Sequence, residues 1–368
     1  MPDTARRCWA EIELQALQHN VAAVRAQVGP TVRVMAVLKA NAYGHGAGPV
    51  ARALAARVAM FGVANVTEAE ELRTQVAETP VFILGPALPE ERARIVAARF
   101  IPTISTLEEA QHFAALAGDD ALPVHLKLDT GMGRIGIWEN EAVEVARKIH
   151  ALRGLVITGL ASHLPVADED DAFTREQLAH FHRAVAELRA LGLGQPIVHV
   201  ENSAGIIGYP AQAGDMVRAG LMLYGSAPLP DFQPRLRAVM TWKTRITLVR
   251  DVPAGHGISY GRTFITPQPM RVATLAVGYA DGYKRHLSNR GAEVLIRGRR
   301  CPVLGRVTMD QIMADVTALP GVKAGEEVVL LGRQGEEEIF AAELAQKSGT
   351  IPWEIFTGVG HRVERVYL

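Results

Sequence analysis

Between residues 30 and 225 the chain alternates short apolar runs with longer stretches of helical period. The apolar runs fall at 32–38, 58–64, 81–84, 101–104, 124–128, 155–160, 197–200 and 216–224, and most are rich in Val and Ile. Runs this short, without polar alternation, predict strands buried on both faces. The segments between them carry helix signals. Thr67-Glu-Ala-Glu70 and Thr106-Leu-Glu-Glu109 fit the capping box, in which a hydroxyl and a carboxylate satisfy free backbone amides. Residues 171–190 set Phe173, Leu178, Phe181, Val185 and Leu188 at spacings suited to one helical face. Eight β units joined by helical segments predict an N-terminal (β/α)8 TIM-type barrel. A doubly wound open sheet is the other topology this alternation allows.

After Pro228 the pattern changes. Pro228, Pro230 and Pro234 punctuate a linker, and Met240, Trp242, Thr244, Ile246 and Leu248 then alternate with Lys243, Arg245 and Thr247. Period two marks a half-exposed strand. Further strand-like runs at 272–277, 293–296 and 328–331 are separated by Gly and Pro, and a helix is predicted near 338–347. The reading is an α/β barrel over residues 1–233 followed by a mainly antiparallel β-rich C-terminal domain over 234–368.

Composition narrows the function. The 368 residues suit two domains, and 39 Lys+Arg balance 39 Asp+Glu. A chain without basic excess lacks the electrostatic footprint of a nucleic-acid or anionic-membrane binder. Two cysteines, Cys8 and Cys301, without CxxC spacing predict neither a disulfide framework nor a structural zinc site. Residues 1–14 are charged early and show no apolar leader core, and no apolar run approaches the roughly 18 residues of a spanning helix. The expectation is a cytoplasmic protein with no membrane partner.

In (β/α)8 enzymes the reactive groups lie where strands end at the barrel mouth. Here Lys39 follows the first run; Lys127 and Asp129 lead into Gly131-Met-Gly-Arg134; Ser162-His163 ends the sixth; Glu201-Asn202-Ser203 follows the seventh; and Arg218 lies in the eighth. A single such lysine is ordinarily a solvated strand end, but five polar ends on one mouth make a site. A lysine amine in a desolvated mouth loses the solvation that favours its charged form. That is the behaviour wanted for a Schiff base with pyridoxal phosphate. Ser203 and Gly220-Leu221 stand where barrels cradle a phosphate.

Gly131-Met-Gly-Arg-Ile-Gly136 matches G-x-G-x-x-G, but the following strand offers no acidic residue for a ribose, so a dinucleotide role is rejected. Its glycines are read as a tight loop aiming Arg134 inward. His180-Phe-His182 lies in a helical stretch where i and i+2 point apart, and His163 and His199 lack ligand partners, so no metal is predicted. No G-x-S-x-G elbow or P-loop occurs.

Seven ordered stretches resemble the alanine racemase family of fold-type III pyridoxal-phosphate enzymes across essentially the whole chain. They are Ala36-Val-Leu-Lys-Ala-Asn-Ala-Tyr-Gly-His-Gly46, Lys127-Leu-Asp-Thr-Gly-Met-Gly-Arg134, Asn202-Ser203, Arg218-Ala-Gly220, Ser259-Tyr-Gly261, Gly278-Tyr-Ala-Asp-Gly282 and Gly305-Arg-Val-Thr-Met-Asp310. The resemblance implies an isomerase that interconverts L- and D-alanine and supplies D-alanine for the peptidoglycan of a bacterial cell wall. By it, Lys39 holds the cofactor; Tyr43, Ser203, Gly220 and Leu221 bind its phosphate, with Asn202 and Trp353 nearby; and Arg218 faces the pyridine nitrogen. It also places Arg134 and the backbone of Met309 at the substrate carboxylate, and makes Lys127 a carbamylation site. Lys39 and Tyr260 become the two bases, with Tyr260 entering from a partner subunit of a head-to-tail homodimer. A tyrosine base needs cationic or hydrogen-bonding neighbours at neutral pH, and the resemblance offers His163 and Arg218.

The chain departs from the family at two points. Thr350-Ile-Pro-Trp-Glu354 has Trp353 where a tyrosine is common, and Thr308 stands where cysteine is frequent. Both bear on substrate range, whereas Tyr279 and Arg306 match the family's entry corridor, ordinary packing being the other reading of those two. A broader amino-acid or serine racemase is the nearest alternative. A decarboxylase of the same fold type would lack the Ser-Tyr-Gly base. A non-enzymatic pyridoxal-phosphate carrier would lack residues 234–368, and a metal-dependent barrel hydrolase would want His-x-His where this chain has Lys39-Ala-Asn41.

Overall fold

A computed structural model describes residues 6–368. The expectation of a missing leader over 1–14 falls partly on residues 1–5, which lie outside the described residues. Among the described residues, no helix is long and apolar enough to cross a membrane.

All eight early apolar runs form strands. They are Arg33–Val37, Met60–Val63, Val81–Ile83, Ile101–Ile104, Leu122–Asp129, Leu155–Ala161, Ile197–His199 and Met216–Ala219. Each pairs in parallel with the next as far as Ile197–His199, and Met216–Ala219 pairs with Arg33–Val37. The ring closes between the last two strands through separate bonds. The Asp215 and Arg218 N–H groups donate to the Val198 and Glu201 carbonyls at 2.9 and 3.0 Å. This nearly closed ring settles the choice between barrel and open sheet.

Inside, Met35, Met60, Phe82, Ile101 and Met216 form an apolar plug, with Leu84 and Ile197 packed against it. Phe82 meets a polar layer, its ring centroid 4.7 Å from that of His125 and 5.6 Å from that of His199. Gly159 makes room for this layer. A Cβ there would lie 2.4 Å from ring carbons of His125.

The helices begin where side chains can satisfy free amides. Thr106, Asp170 and Asn202 each cap a helix as N-terminal acceptors. The capping box placed at Thr67 is corrected: the cap is Asn65, whose Oδ1 accepts the Glu68 N–H, and the helix runs Val66–Arg73. An amide oxygen in extended backbone reaches that N–H, whereas Thr67 is already helical. Helix Asp171–Ala190 buries Leu178, Phe181, Val185 and Leu188 as predicted, while Phe173 is exposed. The 216–224 run is strand only to Ala219; Leu221–Tyr224 is a 3₁₀ turn.

The second compact unit is β-rich. Its spine is Met240–Val252, which pairs antiparallel with Cys8–Ile12, Met270–Leu275 and Glu327–Gln334. The linear boundary at 233/234 leaves Cys8–Ile12 with the barrel; the structure puts it in the β-rich unit, with Trp9, Ala10 and Ile12 fully buried there. Tyr43–Gly46 groups with this unit too. A Cβ on Gly44 would sit 2.4 Å from the Phe356 carbonyl oxygen, so only glycine permits that approach. The late helix is displaced to Ala341–Ser348 because Glu337–Ile339 is taken by a strand, and a second helix, Pro352–Thr357, follows.

Because Gly159 is the gap into which the His125 ring fits, Gly159→Ala should destabilise the chain by about 1–3 kcal/mol, the range for overpacking. Urea denaturation measures it. An unchanged midpoint would show that the polar layer can shift without cost.

Candidate active site

Lys39 follows the first barrel strand and opens an unusual turn. Ala40, Asn41 and Ala42 lie at φ 53–54° and ψ 49–50°, and Tyr43 at φ 53°. Left-handed backbone costs an L-residue roughly 1–2 kcal/mol, so four in succession need external ties. The Ala42 N–H donates to the Leu38 carbonyl at 2.7 Å. The Asn41 Oδ1 accepts the Ala47 N–H at 2.7 Å, and Glu68 Oε1 accepts the Ala40 N–H at 2.8 Å. Burial holds the Lys39 amine below the ordinary lysine range, and the guanidiniums of Arg134 and Arg218 lower it further, with Glu68 opposing them. A neutral amine is a nucleophile and a base.

Lys127 lies deeper, with 8% of its surface exposed. Burial pushes its amine far down, and Arg218 and Arg134 add to that against Asp129. Two residues later Asp129 organises the glycine-rich loop. Its Oδ1 accepts the N–H groups of Gly131, Met132 and Gly133 at 2.9–3.1 Å, and its Oδ2 that of Arg134 at 3.1 Å. Burial works to raise the Asp129 pKa, but these four N–H groups outweigh it and hold the carboxyl below its ordinary value. The loop thus fixes the backbone of Arg134, whose charge is felt at Lys39, Lys127 and His163.

Arg218 is buried at the centre. Its Nη1 donates to the His199 carbonyl at 2.8 Å and to His199 Nδ1 at 2.9 Å. Its Nη2 reaches the Ser162 and Val200 carbonyls at 2.7 and 2.8 Å and His163 Nδ1 at 3.1 Å. A guanidinium only donates, which sets the tautomers. His199 Nδ1 accepts, so His199 Nε2–H donates to His125 Nδ1 at 2.9 Å. Burial and then the Arg218 charge keep His125, His163 and His199 neutral, with His125 pushed down to about 3. Burial also lowers Arg218 to about 10, which leaves it charged at neutral pH.

Ser203 begins a short helix, and its Oγ accepts the Gly220 and Met222 N–H groups at 3.2 and 3.3 Å. Asn202 caps that helix through the Gly205 N–H and donates to the Leu164 carbonyl at 2.9 Å. The first-turn amides of Ser203 and Ala204 have no intrahelical partner, and the Leu221 N–H opens the adjacent 3₁₀ turn. The result is a concentration of N–H donors suited to an anion. Next to them, Glu201 is fully buried; neither carboxylate oxygen has a hydrogen-bond partner among the described residues. Burial raises its pKa to about 8, with the Arg218 charge opposing. The group is therefore largely protonated at neutral pH.

The barrel unit thus brings together Lys39, Lys127, Arg134, His163, Asn202, Ser203, Arg218, Gly220 and Leu221. The family model for the alanine racemase N-terminal domain matches residues 12–228, and that for its C-terminal domain residues 239–367. The alanine racemase of Halothermothrix orenii is 45% identical over 368 residues, covering 98% of this chain and 97% of its own length. The chain belongs to the alanine racemase family. Among solved structures, the alanine racemase of the D-cycloserine producer Streptomyces lavendulae superposes with a TM-score of 0.93 at 35% identity, over 100% of this chain and 98% of that one. The alanine racemase of Bartonella henselae, solved with covalently bound pyridoxal phosphate, gives 0.90 at 29% identity, over 99% and 100%.

The remaining residues singled out by the alanine racemase resemblance lie in the β-rich unit. The Tyr43 hydroxyl pairs with the Trp353 side chain, and burial raises its pKa. Trp353 sits in the first turn of helix Pro352–Thr357. Tyr260 and Met309 are 71% and 52% exposed. The histidines 180 and 182 are half-buried, and His180 pairs with Glu139 at 2.9 Å. Among the described residues no group of three or more His, Cys, Asp or Glu could hold a metal ion. Sequence reasoning missed Glu68, although Asn65-Val-Thr-Glu68 is itself a cap pattern two residues upstream of the one chosen. It also missed the left-handed turn, for which no glycine gives a signal.

Asp129→Asn should lower stability by about 1–3 kcal/mol at neutral pH, since an amide oxygen replaces only part of the acceptor. The carboxyl is depressed on folding, so its stabilisation is complete above the ordinary value of 3.8 and is lost as pH falls through the lower folded value. Denaturation midpoints of parent and variant should therefore converge in acid. A constant gap would assign the loss to packing.

Proposed function

We propose that this member of the alanine racemase family interconverts L- and D-alanine with pyridoxal phosphate, through two bases on opposite faces of the bound substrate. The observation that carries the reading is Lys39. It is an amine at a barrel mouth, held below its ordinary range by burial and two guanidiniums. The barrel residues also fit the cofactor. Ser203 and Leu221, with the adjoining Gly220, would cradle the phosphate, and Arg218, which can only donate, would face an unprotonated pyridine nitrogen.

Pyridoxal phosphate, once bound, supplies the electron sink that makes the substrate Cα–H acidic. The chain does the rest. Lys39 anchors the cofactor and moves the proton on one face. Tyr260, exposed in a single chain, moves it on the other from the partner subunit of a homodimer. Arg218 keeps its own protons and so holds the ring nitrogen neutral, which restrains the sink and disfavours transamination. By the family resemblance Arg134 and the Met309 backbone N–H orient the substrate carboxylate, Tyr43 and Trp353 help bind the phosphate, and His163 and Arg218 assist Tyr260.

Lys127 takes a carbamate. Its neutral amine attacks the carbon of CO2, forms the C–N bond and releases one proton. The anion produced then pairs with the Arg134 and Arg218 charges that lowered the amine. D-Alanine made this way would feed peptidoglycan synthesis in the cytoplasm.

Incubation with pyridoxal phosphate and L-alanine in deuterated water should yield D-alanine carrying deuterium at Cα. Exchange without inversion would leave one base working. No exchange, with cofactor bound, would sink the reading. Lys39→Ala should abolish covalent cofactor attachment. Tyr260→Phe should spare attachment but cut turnover from one enantiomer by about 10²–10⁴-fold, the usual contribution of a general base. Near-native rates in both directions would remove Tyr260 from the mechanism.

A further inference from the structure

Glu68 occupies the third position of helix Val66–Arg73, its N–H held by the Asn65 cap at 3.0 Å. A glutamate at that position ordinarily bends back to the N–H of the cap residue itself. This one does not. Its Oε2 accepts the N–H of Ala64, just past strand Met60–Val63, at 2.7 Å, and its Oε1 crosses to the Ala40 N–H, just past Lys39, at 2.8 Å. The sheet ladder between these two strand ends runs out at the Leu38 N–H to Gly62 carbonyl bond of 2.8 Å. Beyond that point one carboxylate joins the two chain segments.

What it joins needs holding. The backbone departs from Lys39 through left-handed Ala40, Asn41, Ala42 and Tyr43, a conformation these residues take only when their surroundings impose it. With helix Ala47–Leu54 fixed downstream, relaxing Ala40 to ordinary torsions would force compensating changes at Lys39 and turn its side chain. The charge matters as well. The groups that act on Lys39 are Arg134, Arg218 and Glu68, and Lys39 in turn acts on the neutral His163. Glu68 is the single anion in that set.

We propose that Glu68 is a positioning residue for Lys39: its carboxylate pins the left-handed turn that aims the amine at the barrel mouth and keeps one negative charge beside it. Lys39 thereby retains the ability to carry a proton as well as to release one, which a base that works in both directions needs. This rests on the racemase reading for its purpose, but the clamp itself is tested separately.

Glu68→Gln keeps size and one acceptor oxygen, but it removes the charge and turns an NH2 toward one of the two N–H donors. In the full-length chain freed of cofactor, the rate at which an amine-acylating reagent modifies each lysine can be read by peptide mass spectrometry across pH. The Lys39 midpoint should move to lower pH, because Arg134 and Arg218 then act unopposed, while the exposed Lys148 stays unchanged. In the cofactor-loaded chain kcat should fall on the order of tenfold with KM little altered, as expected for a misaimed group. Ala40→Gly in the same background should recover the part of kcat lost through misaiming, since glycine adopts the left-handed turn freely, but should leave the midpoint displaced and kcat short of the parent's. Glu68→Asp, which keeps the charge, covers the case in which E68Q does not fold; it should hold the midpoint near the parent's and lose kcat. An unmoved Lys39 midpoint in E68Q would overturn the proposal, as would a loss of kcat that Ala40→Gly does not even partly rescue, since a plain packing defect gives both. If the parent chain fails to racemise alanine, the labelling midpoint still decides whether the clamp exists.

Discussion

A guanidinium buried inside a ring of apolar strands is expensive to hold, and much of the barrel's polar architecture answers that cost. Arg218 gives its two terminal nitrogens to three backbone carbonyls and two imidazoles, so its charge is solvated by the protein. Those carbonyls belong to Ser162, His199 and Val200, where two neighbouring strands run out. The Ser162 and Val200 carbonyls lie just past those ends, and the His199 carbonyl serves Arg218 while also accepting the Ser162 N–H at 3.3 Å. Once placed, the charge sets the state of its surroundings. It helps keep His125, His163 and His199 neutral, pushes Lys39 and Lys127 toward free amines, and eases the burial of Glu201.

Two carboxylates do for the backbone what Arg218 does for the titrating groups. Asp129 gathers four consecutive N–H groups into the loop that carries Arg134, and Glu68 ties the turn after Lys39 to the neighbouring strand end. Each spends its charge on main-chain donors next to a basic residue, Arg134 in one case and Lys39 in the other. Such ties fix the backbone on either side of the barrel's basic residues without help from a ligand.

The left-handed turn shows why such sites resist short-range reading. Ala40, Asn41 and Ala42 have no local preference for positive φ strong enough to predict it, and the sequence Lys-Ala-Asn-Ala-Tyr would pass for the start of an ordinary helix. The turn exists because bonds from Glu68, Leu38 and Ala47 outweigh its cost. The capping pattern was visible at Asn65 and Glu68, but its second carboxylate oxygen has a partner 28 residues away. No periodicity carries that information.

Eight buried strands, their order of appearance and the change to an antiparallel second region were legible in the chain, because period and run length follow from which faces of an element meet apolar neighbours. So was the list of polar residues at strand ends, since the barrel rule needs only the strand positions. The family was legible in motifs that recur in order across both regions. What only the tertiary structure decided is what depends on distant partners. It placed Cys8–Ile12 in the β-rich sheet, because that strand needs Met240–Val252 and Glu364–Tyr367 beside it. It closed the ring instead of leaving an open sheet, and it chose Asn65 over Thr67 as a cap. It also determined which ionisable groups are charged, because burial and the nearness of Arg218 are properties of the folded chain and of no segment of it.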